Sequence, residues 1–226
     1  MSGPLALVGG DEFAPGCDFD ADLLAAADTD RVALLATGSA YENPAKVVEH
    51  ARSWFSGLGA ELVEVPVYTR PDAFVAEHVD TVAASRLIYI TGTSPMHLRS
   101  VLKDTPVLDA ICSTWGSGAA LAGSGAGADV LCDPMVDTRG GAFTVGLGVV
   151  PRLAVVARAN LWSPDKVRRT VELAPAGVVL VELPERTAVI RDAAGTWRAA
   201  GVGQPVVHRD DGAGTLVDLP QPVAAP

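Results

Sequence analysis

Ala119-Ala120-Leu121-Ala122-Gly123-Ser124-Gly125-Ala126-Gly127-Ala128 is the stretch that decides the fold of this chain. Four small apolar residues in a row describe a strand buried on both faces, because a strand with one wet face would alternate. Glycine at three alternate positions then marks a turn where backbone must pass close to backbone. The alanine-rich continuation opens a helix. A strand, a sharp turn and a helix are therefore expected here.

The neighbouring runs repeat that pattern. Residues 5–8 end in Gly9-Gly10, residues 31–36 end in Thr37-Gly38-Ser39, and residues 87–90 end in Thr91-Gly92. Each reads as a buried strand feeding a glycine-containing loop. Residues 44–58 place Val47, Val48, Ala51, Trp54, Phe55 and Leu58 on one helical face, with Gly59 as the stop. Residues 61–67 read as a strand, and 72–84, 95–102 and 106–115 as helices. Strands alternating with helices at this spacing predict an α/β fold, a mostly parallel sheet covered on both faces. Ligands in such sheets sit beyond the carboxyl ends of the strands, where these glycine loops gather.

The second half changes character. Residues 153–156 and 178–181 read as strands around a helix over 164–173, and 187–190, 196–198 and 206–208 as short antiparallel strands joined by tight turns such as Ala194-Gly195. One domain over residues 1–217 is expected, followed by a disordered proline-rich tail over 218–226.

Composition narrows the partners. The 226 residues carry a net charge of −10, which argues against nucleic acid, since phosphate contacts need clustered Lys and Arg. The nearest basic cluster, Lys166-Val167-Arg168-Arg169, follows Ser163-Pro164-Asp165 and reads as the solvated face of a helix. Hydrophobic residues at 49% suffice for a continuous core, and aromatics at 5% are too few for a stacking platform. Cys17, Cys112 and Cys132 are odd in number and match no metal spacing, so reduced structural thiols and no metal are expected. The N-terminus lacks a basic region before its short apolar run, and no apolar stretch reaches about 18 residues, so a cytoplasmic protein without signal peptide or membrane span is expected.

The glycine turn has the frame of the G-x-S-x-G nucleophile elbow, in which a serine hydroxyl stands above the sheet and backbone N–H groups form an oxyanion hole. Here Gly125 stands at the nucleophile position. Ser124 is one residue away, and alternation along a strand aims its hydroxyl elsewhere. A second pattern, Gly123-x-Gly125-x-x-Ala128, formally fits a dinucleotide fingerprint, but it lies mid-chain and no acidic residue follows on a second strand at the expected distance.

The stretch from Leu121 to Met135 (LAGSGAGADVLCDPM) resembles the elbow of the S51 serine peptidases, the aspartyl dipeptidases and cyanophycinases. The segments LVGGDEF, TGTSPMHLRSVL and VDTRGGAFTVGLGVVPRLAVV and the TAVI…GTWRAAGVG region resemble that family in order and spacing. The resemblance implies a glutamine amidotransferase-like (flavodoxin-like) three-layer α/β/α sandwich, no cofactor, and a homodimer. It implies hydrolysis of aspartyl or β-aspartyl peptides by a serine and a histidine. By that resemblance the nucleophile falls on Gly125, the histidine on Arg158 and an acidic member on Asp133 or Asp137. The family's Gly-Gly-x-Gln loop falls on Gly92, Thr93, Ser94 and Pro95, without its glutamine. Gly9, Gly10, His97, Ser124, Ala126 and Asn160 are expected to complete a ligand site.

Loss of nucleophile and base together predicts a chain inactive by the family mechanism. Arginine cannot act as the base, because its guanidinium stays protonated. Arg158 near the start of the helix after Gly125 predicts instead a site for a small anion or an aspartyl-peptide-like ligand. The alternatives are an Arg158 turned outward to Asp133, Asp137 or Asp165, and a residual serine hydrolase acting through other residues.

Overall fold

The computed structural model describes residues 2–223. The first half runs β1 Leu5–Val8, α1 Phe19–Ala27, β2 Arg31–Gly38, α2 Pro44–Gly57, β3 Glu61–Glu64, α3 Ala76–Ala83, β4 Leu87–Gly92, α4 Pro95–Leu102, α5 Pro106–Gly116, β5 Ala120–Ser124 and α6 Ala126–Leu131. The second half runs β6 Cys132–Asp133, β7 Met135–Asp137, β8 Ala142–Thr144, β9 Val150–Pro151, β10 Leu153–Ala157, α7 Pro164–Glu172, β11 Val179–Leu183, β12 Thr187–Arg191, β13 Trp197–Gly201, β14 Val206–Arg209 and β15 Gly212–Gly214.

Among the described residues the main sheet has seven strands in the order β13-β12-β1-β5-β4-β2-β3. β1, β5, β4, β2 and β3 run parallel to one another, while β12 pairs antiparallel with both β1 and β13. The alternation of strand side chains makes the three layers. Leu5, Leu7, Leu35, Ile88, Ile90 and Leu121 face α3–α6, whereas Ala6, Val8, Leu34, Tyr89 and Ala122 face α1 and α2. The fold is therefore an α/β/α sandwich with a mostly parallel sheet and antiparallel strands in its C-terminal half. A second sheet, β15-β14-β11-β10-β6-β9, stands beside it, with α7 against one face.

Helix starts follow directly from sequence. Ser94-Pro95, Thr105-Pro106 and Ser163-Pro164 each put a hydroxyl at the N-cap and a proline at the first helical position. The hydroxyls accept from the backbone N–H groups of His97, Leu108 and Lys166, and proline loses nothing where no N–H is needed.

Three expectations change. The helix expected over 72–84 breaks into a 3₁₀ turn, Pro71–Phe74, and α3, with Val75 extended between them. Asp72 causes the break by accepting from the N–H groups of Tyr68 and Thr69, a local turn that competes with the helix. β3 stops at Glu64, two residues before Pro66, which cannot donate to a ladder. The tail is not free from residue 218 onward. Leu219 is buried and the Val223 N–H donates to Val149 O at 2.8 Å. The remainder of the expected tail, residues 224–226, lies outside the described residues. No helix among the described residues is long and apolar enough to cross a membrane.

Candidate functional site

The carboxyl ends of β1, β4, β5, β10 and β11 converge on one corner. Gly125, directly after β5, has φ 55° and ψ −118°. A side-chain-bearing residue rarely adopts that conformation, and glycine adopts it without a clash. Its N–H donates to Val8 O at 3.0 Å, and its carbonyl accepts from Ala128 and Asp129 at the start of α6. A Cβ on Gly125 would stand 2.8 Å from Gly92 O and meet nothing else within 4 Å. The elbow is thus present as backbone, crowded along its Cβ direction by Gly92 O alone, and it carries no nucleophile.

Ser124 faces the other way. Its side chain is fully buried, and its Oγ donates to Glu12 Oε2 at 2.7 Å. The Thr91 hydroxyl donates to the other oxygen of Glu12. Two hydroxyls from adjacent strands therefore hold one carboxylate on the α1 side of the sheet.

Arg158 follows β10 with φ 53°, and its N–H donates to Gly9 O at 2.7 Å. Its side chain lies across Gly10, where an added Cβ would come 2.7 Å from Nε. Neither Asp133, Asp137 nor Asp165 receives it. Its ionic neighbour is Glu185, with Nε 3.9 Å from Oε1, too far for a direct hydrogen bond. Asn160 fixes Glu185 reciprocally, donating to Oε2 at 3.1 Å while its Oδ1 accepts from the Glu185 N–H at 2.8 Å. Behind Arg158 lies Asp129, almost fully buried. Burial pushes its carboxyl well above the usual range, opposed by a backbone hydrogen bond at Ala157 and by the charge of Arg158.

Left-handed residues other than glycine gather at this corner. Asp11, Phe13, Arg158 and Arg186 have φ between 52° and 61°, and Arg186 Nε lies 3.2 Å from Asp11 Oδ2. Such conformations persist where surrounding structure imposes them, often at sites of function.

The corner brings together Gly9, Gly10, Gly92, Ser124, Gly125, Ala126, Arg158 and Asn160. The N–H groups of Thr93 and Ser94 are committed to Gly38 O, which fastens that loop to the end of β2. His97 is engaged elsewhere: Nε2 is 2.9 Å from Tyr68 O, and its ring meets Tyr41 edge-on at 4.9 Å. Asp137 is a correction. It ends β7, which pairs only with β8, and its carboxylate is gripped by Arg139 at 2.7 and 3.0 Å, which holds its pKa low. Asp133 accepts from the Gly146 N–H. The acid beside Arg158 is Glu185, which sequence reading did not single out, and Glu12 was missed as well. The one local signal for either was its place, just past a strand end in a Gly- or Pro-containing turn. Among the described residues no group of three or more His, Cys, Asp or Glu side chains is arranged to hold a metal ion.

Residues 16–145 match the model of Peptidase family S51. That span contains the elbow, whereas Arg158 and Glu185 lie beyond it. A crystal structure of a peptidase from an acI-B1 Actinobacterium is similar at 28% identity and a TM-score of 0.82, over 92% of this chain and 91% of that one. A putative peptidase E protein from Listeria monocytogenes EGD-e is similar in fold at 16% identity and a TM-score of 0.71, over 90% of this chain and all of that one. No curated protein matches. With its glycine elbow, its parallel sheet and a family match over more than half its length, the chain belongs to peptidase family S51.

Proposed function

We propose that this S51 protein does not hydrolyse peptides by a serine mechanism and uses the corner around Gly125 to hold a small aspartyl-like ligand. The observation that carries the reading is the elbow itself: Gly125 keeps the strained turn, and no hydroxyl stands on it. The surroundings support binding over chemistry. Arg158 is partly exposed, carries a permanent charge and is not locked to Glu185, so a ligand carboxylate can pair with it. Glu185 stands beside that charge, which favours a ligand bearing both a carboxylate and an ammonium over a purely anionic one such as phosphate.

Residual hydrolysis through Ser124 is the other reading. Against it, the Ser124 hydroxyl is fully buried and donates to Glu12, on the face of the sheet away from the open side of the elbow.

Calorimetric titration tests the binding. Aspartate and aspartyl dipeptides should bind wild type, phosphate should bind more weakly, and Arg158→Ala should lose the interaction. Absence of binding by wild type would sink the reading. For catalysis, wild type should leave aspartyl peptides intact, whereas Gly125→Ser combined with Arg158→His should restore some cleavage if the rest of the frame survives.

A further inference from the structure

Bordering the corner at Asn160, a cleft of about 610 Å³ lies between α7 and the outer part of the second sheet. Its walls are apolar, built by Trp162, Pro164, Val167 and Val171, and its floor is polar, built by Glu182 and His208. The arrangement follows from alternation in β11. Leu180 and Glu182 point to the α7 side, while Val181 and Leu183 enter the main core. β14 brings His208 opposite Leu180, so its ring reaches Glu182, with Nε2 2.6 Å from Oε1. α7 does not extend over this pair. The result has the composition of a small-molecule site, apolar walls with a few convergent polar groups, and its volume lies within the usual range.

The charges select the occupant. Every cationic group at the cleft is already matched. Arg168 faces Asp165 at 3.1 Å and Glu172 at 3.9 Å. Lys166 turns away, donating to Thr138 O and standing 3.5 Å above the Trp162 ring. The His208 ring meets Glu182 through one oxygen alone, Nε2 to Oε1. Glu182 has capacity to spare: among the described residues its second oxygen has no hydrogen-bond partner, and its side chain is 18% exposed. A carboxylate half out of water beside apolar walls attracts a cation more strongly than a surface carboxylate does. A ligand carboxylate would instead meet Glu182 and Glu172 as like charges.

We propose that this cleft binds a small primary amine with an aromatic or branched apolar body, the ammonium on Glu182 and the body against Trp162 and Val171. The cleft adjoins the Gly125 corner through Ala159 and Asn160, but its ammonium partner, Glu182, takes no part in that corner.

Two probes with the same body and opposite charge test it: 3-phenylpropylamine and 3-phenylpropionate, each titrated into the full chain and followed by amide NMR shifts. The amine should give saturable shifts at Val167, Val171, Glu182 and His208, and the carboxylate should give none there. Glu182→Gln should weaken the amine about tenfold, the scale of one charge pairing, and Val171→Trp should fill the cleft and abolish binding. Both variants are first checked for wild-type thermal unfolding. The comparison of the two probes on wild type stands even if neither variant folds. Equal or tighter binding of the carboxylate, amine shifts confined to other surfaces, or no saturable shift at millimolar amine overturns the proposal.

Discussion

The two faces of the main sheet are built from the same strands and do different work. Under α3–α6 the strand side chains are mostly apolar, with Leu5, Leu35, Ile88, Ile90 and Leu121 at their centre. Under α1 and α2 the alternate residues are apolar only until the carboxyl ends. There the layer also holds buried Asp20, Tyr89, Thr91 and Ser124, with Glu12 reaching in from the loop after β1. The dry face supports the elbow as backbone, by letting Gly127 lie against Ile90. The polar face takes the only hydroxyl at the turn, Ser124, and ties it into a network. A fold can thus keep the geometry of a catalytic turn on one side while its polar groups serve structure on the other.

The largest effect should come from the dry face. A Cβ on Gly127 would stand 2.1 Å from Ile90 O, a backbone atom that cannot give way without moving β4. Gly127→Ala should cost about 3 kcal/mol or more, as severe overpacking does, read as denaturant midpoint. A change below experimental error would break the claim that close backbone contact holds the elbow.

Next is the elbow residue. Gly125→Ser places a side chain at φ 55° and a Cβ 2.8 Å from Gly92 O. It should destabilise by about 2 kcal/mol, seen in thermal unfolding. Unchanged or raised stability would remove strain from the account.

The polar face makes a prediction with a sign. Burial raises the Asp20 carboxyl from 3.8 to about 7, opposed by a hydrogen bond from Trp54 Nε1, which donates at 2.9 Å. The native state therefore keeps a proton that the unfolded chain releases in that interval. The contribution of Asp20 is most favourable below about pH 4 and is lost as pH rises toward about 7. Asp20→Asn keeps an acceptor for Trp54 and cannot ionise. It should gain on the order of 1–2 kcal/mol over wild type at pH 8, and the gain should shrink as the pH falls through 7. A gain independent of pH would contradict a titrating Asp20.

The smallest effect is expected at Ser124. Ser124→Ala removes one of two donors to a partly exposed carboxylate and should cost about 1 kcal/mol, with no change in ligand binding at Arg158. A loss of binding without a loss of stability would move Ser124 into the ligand site.

Much of this architecture is written locally. Runs such as Leu5-Ala6-Leu7-Val8 are buried on both faces and show it by having no polar alternation. Ser-Pro and Thr-Pro pairs announce three helices. α1 escaped notice because Asp18, Asp20 and Asp22 mask its apolar face, and no side-chain cap marks its start. Phe19, Leu23, Leu24 and Ala27 carry the spacing that would have shown it. At the corner, Gly125 and Arg158 stand out in the sequence because the resemblance sets a serine and a histidine against them. Glu12 and Glu185 were not, since their partners lie 112 and 25 residues away in sequence. Asp137 is a different case. Arg139, two residues on, claims its carboxylate, and which acid meets Arg158 is settled by how β10 and β11 pair.

The central claim is that the elbow has kept its shape and lost its nucleophile. Intact-mass spectrometry after exposure of the native protein to a fluorophosphonate probe tests it most directly. The account predicts an unmodified chain, with Gly125→Ser/Arg158→His as the variant able to react. A stoichiometric adduct on wild type, mapped to Ser124 or any other serine at this corner, would contradict it.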